Sequence, residues 1–334
     1  MDFALSEEQQ ELAAIVRAAL AKRADPRVET YDEELWQLLV EQVGVPALGI
    51  PEEHGGAGFT LFEALVALEE VGRALVPSPL LSSLVTSEAL LAGATEEARG
   101  ALLPRLAAGE VAAFVDATGG AGPVVADVLD GDLATVLVAA TDDGLWALDP
   151  DVTTRAWTAS MDQTLRLARV EVEVASATRI GEGPPAATRA ALVGAVGVAA
   201  LQTGTAARAL EMTVRYTQER VQFGRPIGSF QALKHRMADM LVRLEMSRSA
   251  SWAAAYAVSS GAADGERLAH VAKAYCSEAL AAIAAETVQL HGGIAITWEH
   301  DAHLVLKRAH SLGQLFGTAR AHRAAVPLGD PAAR

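Results

Sequence analysis

Between about residue 111 and residue 183 the spacing of apolar residues changes from helical to alternating, which limits the chain to a β unit set between two helical regions. Leu133 to Ala140 is a continuous apolar run. Gly144-Leu145-Trp146-Ala147-Leu148 follows a turn at Asp142-Asp143, and Ala168, Val170, Val172 and Val174 alternate with Arg169, Glu171 and Glu173. Such alternation calls for a sheet with one solvated face, so the spacing predicts a small antiparallel β unit. Gly119-Gly120-Ala121-Gly122-Pro123 and Gly181-Glu182-Gly183-Pro184-Pro185 bound it.

The flanks read as helix. Ser6-Glu7-Glu8-Gln9 has the capping-box form, with Leu12, Ile15, Val16 and Ala19 on one face after it, and Thr60-Leu61-Phe62-Glu63 repeats the signal before Leu61, Leu65 and Leu68. Pro77 and Pro79 end that second helix, and the glycines of Gly49 to Gly58 read as a tight turn. After the β unit an alanine-rich segment runs from Ala186 to Gln218, then an apolar stripe of Leu233, Met237, Met240, Leu241 and Leu244. A further helix is predicted from about Glu266 to Leu290 with a glycine stop at His291-Gly292-Gly293, a last one from about Trp298, and a loose end over Pro327 to Arg334. At 334 residues the chain exceeds what one core usually serves. The predicted class is α+β, mostly α: an N-terminal helical domain (1–110), a short antiparallel β domain (111–183) and a C-terminal four-helix bundle (184–326).

Tyr216 to Met240 places a rigid loop between two of these helices. Pro226 fixes its own φ and pushes Arg225 into an extended conformation, while Gly224 and Gly228 reach backbone angles closed to other residues. The net charge of −15 repels polyanions, so neither nucleic acid nor an anionic membrane is an expected partner, and an anionic ligand needs a local basic site. One cysteine excludes an intramolecular disulfide. No signal pattern opens the chain and no run of about eighteen uninterrupted apolar residues suggests a membrane span, which predicts a cytoplasmic protein.

Arg220-Val221-Gln222-Phe223-Gly224-Arg225-Pro226-Ile227 through Gln231, with Gln289-Leu290-His291-Gly292-Gly293 further on, closely resembles the acyl-CoA dehydrogenase family. Leu48-Gly49-Ile50-Pro51-Glu52-Glu53-His54-Gly55-Gly56 and Leu103-Pro104-Arg105-Leu106-Ala107-Ala108-Gly109-Glu110 are similar to that family's N-terminal signatures, so the likeness covers nearly the whole chain. The resemblance implies FAD bound at a subunit interface. It assigns the diphosphate region to Arg220, Gln222 and Phe223 with Gln231 nearby, a contact from a neighbouring subunit to Gln289, Gly292 and Gly293, and a weaker contact near the adenine to Thr318. A guanidinium suits phosphate oxygens on an otherwise acidic protein. The other reading is that Arg220 and Gln231 cap helices.

The same resemblance implies α,β-desaturation of an acyl-CoA, with a carboxylate base and an electron-transfer flavoprotein-like acceptor. In many members the base is a glutamate in a Glu-Gly-Thr segment, matched here by Leu315-Phe316-Gly317-Thr318; in others it aligns with about Gly194, yet Arg189 to Arg208 holds no acidic residue. The family's flavin-contacting Thr-Glu-Pro-Gly segment has at best a remnant in Asp116 to Pro123, which leaves Thr118 unassigned. A subunit paired with a second, homologous acyl-CoA dehydrogenase chain that supplies the glutamate is therefore expected, as in members that handle bulky, steroid-like thioesters. A homomeric enzyme with Glu211 or Glu299 as base and a non-catalytic scaffold or CoA-binding subunit are the alternatives. His300, His303 and His310 with Lys307 form one stripe for which a metal is conceivable, Lys234-His235-Arg236 reads as a solvated basic run, and Cys276 as a buried small hydrophobe.

Overall fold

The computed structural model describes residues 4–28, 30–120, 122 and 124–326; Ala121, Pro123 and Pro327 to Arg334 lie outside the described residues. The chain forms two compact units, Met1–Gly194 and Ala195–Arg334.

The first unit opens with five helices: α1 (Glu7–Arg23), α2 (Glu33–Val43), α3 (Leu61–Ala74), α4 (Leu80–Gly93) and α5 (Glu96–Ala107). Both capping boxes form, Gln9 N–H donating to Ser6 Oγ at 3.2 Å and Ser6 N–H to Gln9 Oε1 at 2.9 Å, with Thr60 and Glu63 paired likewise. The buried face of α1 is Ala13, Val16, Ala19 and Leu20, which keeps Val16 and Ala19 of the expected stripe but not Ile15, which is 45% exposed. Partners on α3 set that rotation. Gln9 donates to Glu63 at 2.8 Å, and Arg17 forks onto Glu70 at 2.8 and 2.6 Å, so the face carrying residues 9, 13, 17 and 20 turns inward.

The strands form a sandwich. One sheet runs in the order β1 (Ala112–Asp116), β3 (Val136–Thr141), β4 (Gly144–Leu148), β7 (Thr178–Gly181); the other runs β2 (Val124–Leu129), β6 (Leu167–Glu171), β5 (Arg155–Thr158). An entirely antiparallel unit was expected, but β1 and β3 pair in parallel, because β2 crosses to the other sheet and the chain returns in its original direction. Ala113, Val115, Leu137, Ala139 and Leu148 meet Val128 and Val170 between the sheets. The other face of β1 packs on α4, which is why β3 beside it is buried over Val136 to Ala140. Strand β3 begins three residues later than the apolar run: Leu133 sits in a turn whose N–H bonds to Asp130 O at 3.0 Å. Alternation stops at Val172, and Val174 enters a 3-10 turn. Asp130, buried at φ 53°, accepts from Ser82 Oγ at 2.6 Å, and burial pushes its carboxyl up to about 7.

Helix α6 (Gly183–Glu219) begins in the first unit and ends in the second. A two-residue-strand hairpin follows, β8 (Val221–Gln222) with β9 (Arg225–Pro226), then α7 (Gln231–Ser259), α8 (Gly265–His291), α9 (Ala302–Gln314) and α10 (Ala319–Ala325). Helix α8 is central to this unit: α7, α9 and α10 pack on it, and Gln202 and Thr213 of α6 bond to its Ser277 and Thr287. The single helix expected from Trp298 is two, broken over residues 315–318 where Gly317 takes φ 98°. In α7, Met240 and Leu244 are buried, whereas Leu241 of the expected stripe is 48% exposed. Two helices are long and apolar enough on average to cross a membrane, Gly183–Glu219 and Gly265–Ile296; 89% of the apolar window of the first is buried in protein. Interspersed Thr, Gln and Arg hide such stretches from a search for uninterrupted apolar runs.

Candidate functional site

The Arg220 segment is a tight hairpin. Val221 pairs with Pro226 and Gln222 with Arg225, so Phe223 and Gly224 form a two-residue turn with φ 53° and 76°, the left-handed pair that matches strand twist. Arg220 N–H donates to Tyr216 O at 2.8 Å and Arg220 O accepts from Ile227 N–H at 2.8 Å, which anchors the hairpin to the last turn of α6. Phe223 projects with 92% of its surface exposed, its ring edge-on to Phe230 at 6.2 Å, and Arg225 lies 4.0 Å over Phe230. Among the described residues the exposed Arg220 guanidinium has no hydrogen bond or ion pair. Gln231 opens α7 without a side-chain capping bond. Capping therefore does not account for either residue.

Gln289 is exposed on the last turn of α8, and Gly292 ends that helix at φ 64°, ψ −141°, a region that side chains disfavour. A Cβ placed on Gly292 or Gly293 would meet nothing within 4 Å, so the backbone there is open to approach. Tyr216 stacks on His291 at 4.5 Å, and His300 lies 4.4 Å from His291. Arg236 of α7 pairs with Glu286 of α8 at 2.5 Å. These contacts gather the end of α6, the start of α7 and the end of α8, so Arg220, Gln222, Phe223, Gln231, Gln289, Gly292 and Gly293 share one end of the second unit. The expectation that Gln289, Gly292 and Gly293 serve as a separate, neighbouring subunit's contact is corrected, because Tyr216–His291 stacking and the Arg236–Glu286 pair set both groups together on one chain. His291 Nδ1 faces Thr287 O at 2.7 Å and so carries the hydrogen, with burial pulling its pKa down.

Thr318 is elsewhere. It caps α10, its Oγ1 accepting from Ala321 N–H at 3.2 Å, and its turn lies against Lys273, about 24 Å along α8 from Gln289 at 1.5 Å per residue. The two groups on one chain thus address different regions of a ligand, or different ligands.

A dinucleotide asks for a fixed cation beside its diphosphate, amide partners for its sugars, an apolar surface for a ring and backbone without side chains where it passes. The Arg220–Gly293 end supplies each: a guanidinium with no partner among the described residues, three exposed glutamines, an exposed phenyl ring and an open diglycine. These residues fit FAD. No carboxylate stands at either expected seat of the base. Phe316 is half-buried at φ 52°, Gly194 lies within α6, and Glu211 and Glu299 are both exposed. Thr118 Oγ1 bonds to Asp116 Oδ1 at 2.7 Å, a local turn at the strand end. His300 precedes α9 and faces His291, while His303 packs on Trp298 and Lys307 covers that same ring at 4.6 Å, so the histidines do not converge as one stripe. Arg236 leaves the basic run to pair with Glu286, and Cys276 is buried.

One group escapes the sequence reading. Lys273 is fully buried, its Nζ donating to Ser277 Oγ (3.2 Å), Leu312 O (3.1 Å) and Gly317 O (2.9 Å), and burial lowers its pKa to about 8. The signal available was a lysine in core phase with Ala269, Cys276 and Leu280.

Residues 6–110 match the model of the acyl-CoA dehydrogenase N-terminal domain and residues 181–326 that of the acyl-CoA dehydrogenase C-terminal domain. The chain is 45% identical over 332 residues to acyl-CoA dehydrogenase IpdE2 of Mycobacterium tuberculosis, covering 94% of each. Among solved structures it resembles a chain of the ChsE4-ChsE5 complex from Mycobacterium tuberculosis (TM-score 0.87, 25% identity, 98% of each chain covered). It also resembles a chain of the Tcur3481-Tcur3483 steroid ACAD (TM-score 0.85, 28% identity, 96% of each). Motif geometry, domain matches and a relative alike from end to end agree: the chain belongs to the acyl-CoA dehydrogenase family of FAD-dependent oxidoreductases.

Proposed function

We propose that this chain is one subunit of an FAD-dependent acyl-CoA dehydrogenase that desaturates the α,β bond of an acyl-CoA thioester, with a homologous partner chain supplying the catalytic carboxylate. The observation that carries this is a nucleotide end that keeps its expected residues in a chain where both expected base positions, Phe316 and the stretch around Gly194, lack a carboxylate. The chemistry the flavin supplies when bound is acceptance of a hydride. In this chain Arg220 neutralises the diphosphate, Gln222, Gln231 and Gln289 bond to the nucleotide, Phe223 packs on it and the Gly292-Gly293 backbone lets it approach. Because Thr318 lies far from that group, a flavin between two chains takes one group from each.

The named two-chain complexes among the structural relatives support a hetero-oligomer, and a steroid ACAD among them supports a bulky, ring-containing acyl group. An electron-transfer flavoprotein-like acceptor and a cytoplasmic location go with this reading. Residues 1–110, 111–183 and 184–326 serve as its N-terminal helical, β and C-terminal helical parts. The exposure of Glu211 and Glu299 weighs against a homomeric enzyme using either.

The test is to purify the chain alone and together with homologous partner chains, record the flavin absorbance, and add acyl-CoA anaerobically. Flavin held and bleached only in the mixed complex is the expected result. Bleaching by the chain alone would overturn the partner, and absence of flavin in both preparations would leave the scaffold reading.

A further inference from the structure

The turn that carries Thr318 is held by groups the flavin reading does not use. Between α9 and α10, Phe316 and Gly317 both stand at positive φ, 52° and 98°. A phenylalanine there is uncommon and persists only where its surroundings over-determine it. Two successive carbonyls of this turn face buried donors: Gly317 O accepts from Lys273 Nζ at 2.9 Å, and Phe316 O lies 2.7 Å from His322 Nε2. Lys273 also donates to Leu312 O at 3.1 Å, a last-turn carbonyl of α9 with no helical partner of its own.

The tautomers follow from the partners. A carbonyl oxygen only accepts, so His322 carries its hydrogen on Nε2, and Nδ1 of the neutral ring accepts. His270 Nδ1, 2.8 Å away, therefore donates to it. His270 Nε2 in turn faces the Glu266 carboxylate at 3.8 Å, at the exposed start of α8. A chain of hydrogen bonds runs from His270 through His322 to the turn, and Lys273 holds the turn from the neighbouring side.

We infer that Lys273 and the His270–His322 pair are positioning residues that fix the Phe316–Gly317 turn and, through it, the place of Thr318 at the nucleotide. The inference rests on the flavin reading, which sets Thr318 near the adenine end. It also makes the hold depend on protons. Lys273 loses its charge as pH rises through about 8. His322, lowered chiefly by burial, gains a proton on Nδ1 in acid and then opposes the His270 donor. Among the described residues, the titratable groups acting on Lys273 are Cys276 of α8 and His322 of α10. The turn and α9 present carbonyls, α6 presents Gln202 through Ser277, and α7 presents Ser247 O toward Cys276. On His322 act Lys273 and His270, both of α8, and the adjoining Glu278–Arg323 ion pair ties α8 to α10.

Hydrogen exchange of residues 313–320 with α7 as internal reference, followed by FAD titration of the flavin-binding complex, tests this. Lys273→Met is expected to speed exchange of the turn about tenfold while helix content stays unchanged. The same change weakens FAD about tenfold. In the unaltered chain, exchange corrected for its intrinsic rate rises between about pH 7 and about pH 9.5, and Lys273→Met abolishes that rise. Should Lys273→Met not fold, His270→Ala removes the other hold and abolishes the loosening expected in acid, below the ordinary imidazole range. A turn whose exchange is flat with pH, or the same in the variants, overturns the inference. So does a loosened turn with undiminished FAD affinity. Failure of the flavin reading itself shows separately, as FAD affinity untouched by Arg220→Ala.

Discussion

The two ends of α8 treat polar groups in opposite ways. At its C-terminal end Gln289 is exposed, the diglycine is open, and Arg220 keeps its charge in solvent with no partner among the described residues. Near its start, Lys273 is wholly buried and its three hydrogens go to three oxygens. A polar group in water costs little when unpartnered and stays available to a ligand, whereas a buried one destabilises the fold unless it is satisfied. The same helix thus carries a binding surface and an internal brace, told apart by where their hydrogen bonds end.

The sharpest break of this contrast is Arg220→Ala. Loss of a charged partner for the diphosphate lowers flavin affinity about a hundredfold, while unfolding free energy moves by less than about 0.5 kcal/mol. A flavin titration and a melt on one preparation read both. Asp130→Asn sharpens the contrast from the first unit, where a buried carboxyl has Ser82 as partner but no cation bonded to it. Its folded pKa of about 7 lies above the ordinary 3.8, so the stability it contributes is complete below 3.8 and lost as pH rises through 7. Asparagine tolerates the left-handed backbone and carries no charge, so Asp130→Asn stabilises by about 2 kcal/mol at about pH 8 and removes that slope, measured by urea unfolding across pH. Gly292→Ala comes next. Strain at φ 64° costs about 1 kcal/mol and displaces the backbone a nucleotide approaches, so flavin occupancy falls alongside a small drop in stability. Smallest is Gln231→Ala, expected to weaken flavin a few-fold with an unchanged melt; an equal fall in both would restore the capping role.

Much of this is legible before any coordinates. Ser6–Gln9 and Thr60–Glu63 are closed local motifs, and α8 falls within one residue of its expected limits because its glycine stop is local too. The nucleotide end reads well for the same reason: two short motifs each fold by their own turn chemistry. What escapes depends on distant partners. The direction of β1 against β3 is set by where β2 goes, the rotation of α1 by Glu63 and Glu70 of α3, and the late start of β3 by a turn at Asp130 that Ser82 holds from α4. Lys273 shares the core phase of Ala269, Cys276 and Leu280, but its acceptors lie 39 and 44 positions later, so no local motif shows how it is satisfied.

Helix α6 carries one further consequence. The passage from the first unit to the second falls within its 37 residues, between Gly194 and Ala195, where Val193, Ala195 and Val196 are all buried. There is no loop at that point for a protease to enter, and no spacer that tolerates a change of length. One inserted residue turns the rest of the helix through about 100° about its own axis, so the buried positions before and after Gly194 no longer fall in one phase. Chimaeras between homologous subunits therefore have to be joined in helical phase, or outside Gly183–Glu219 altogether.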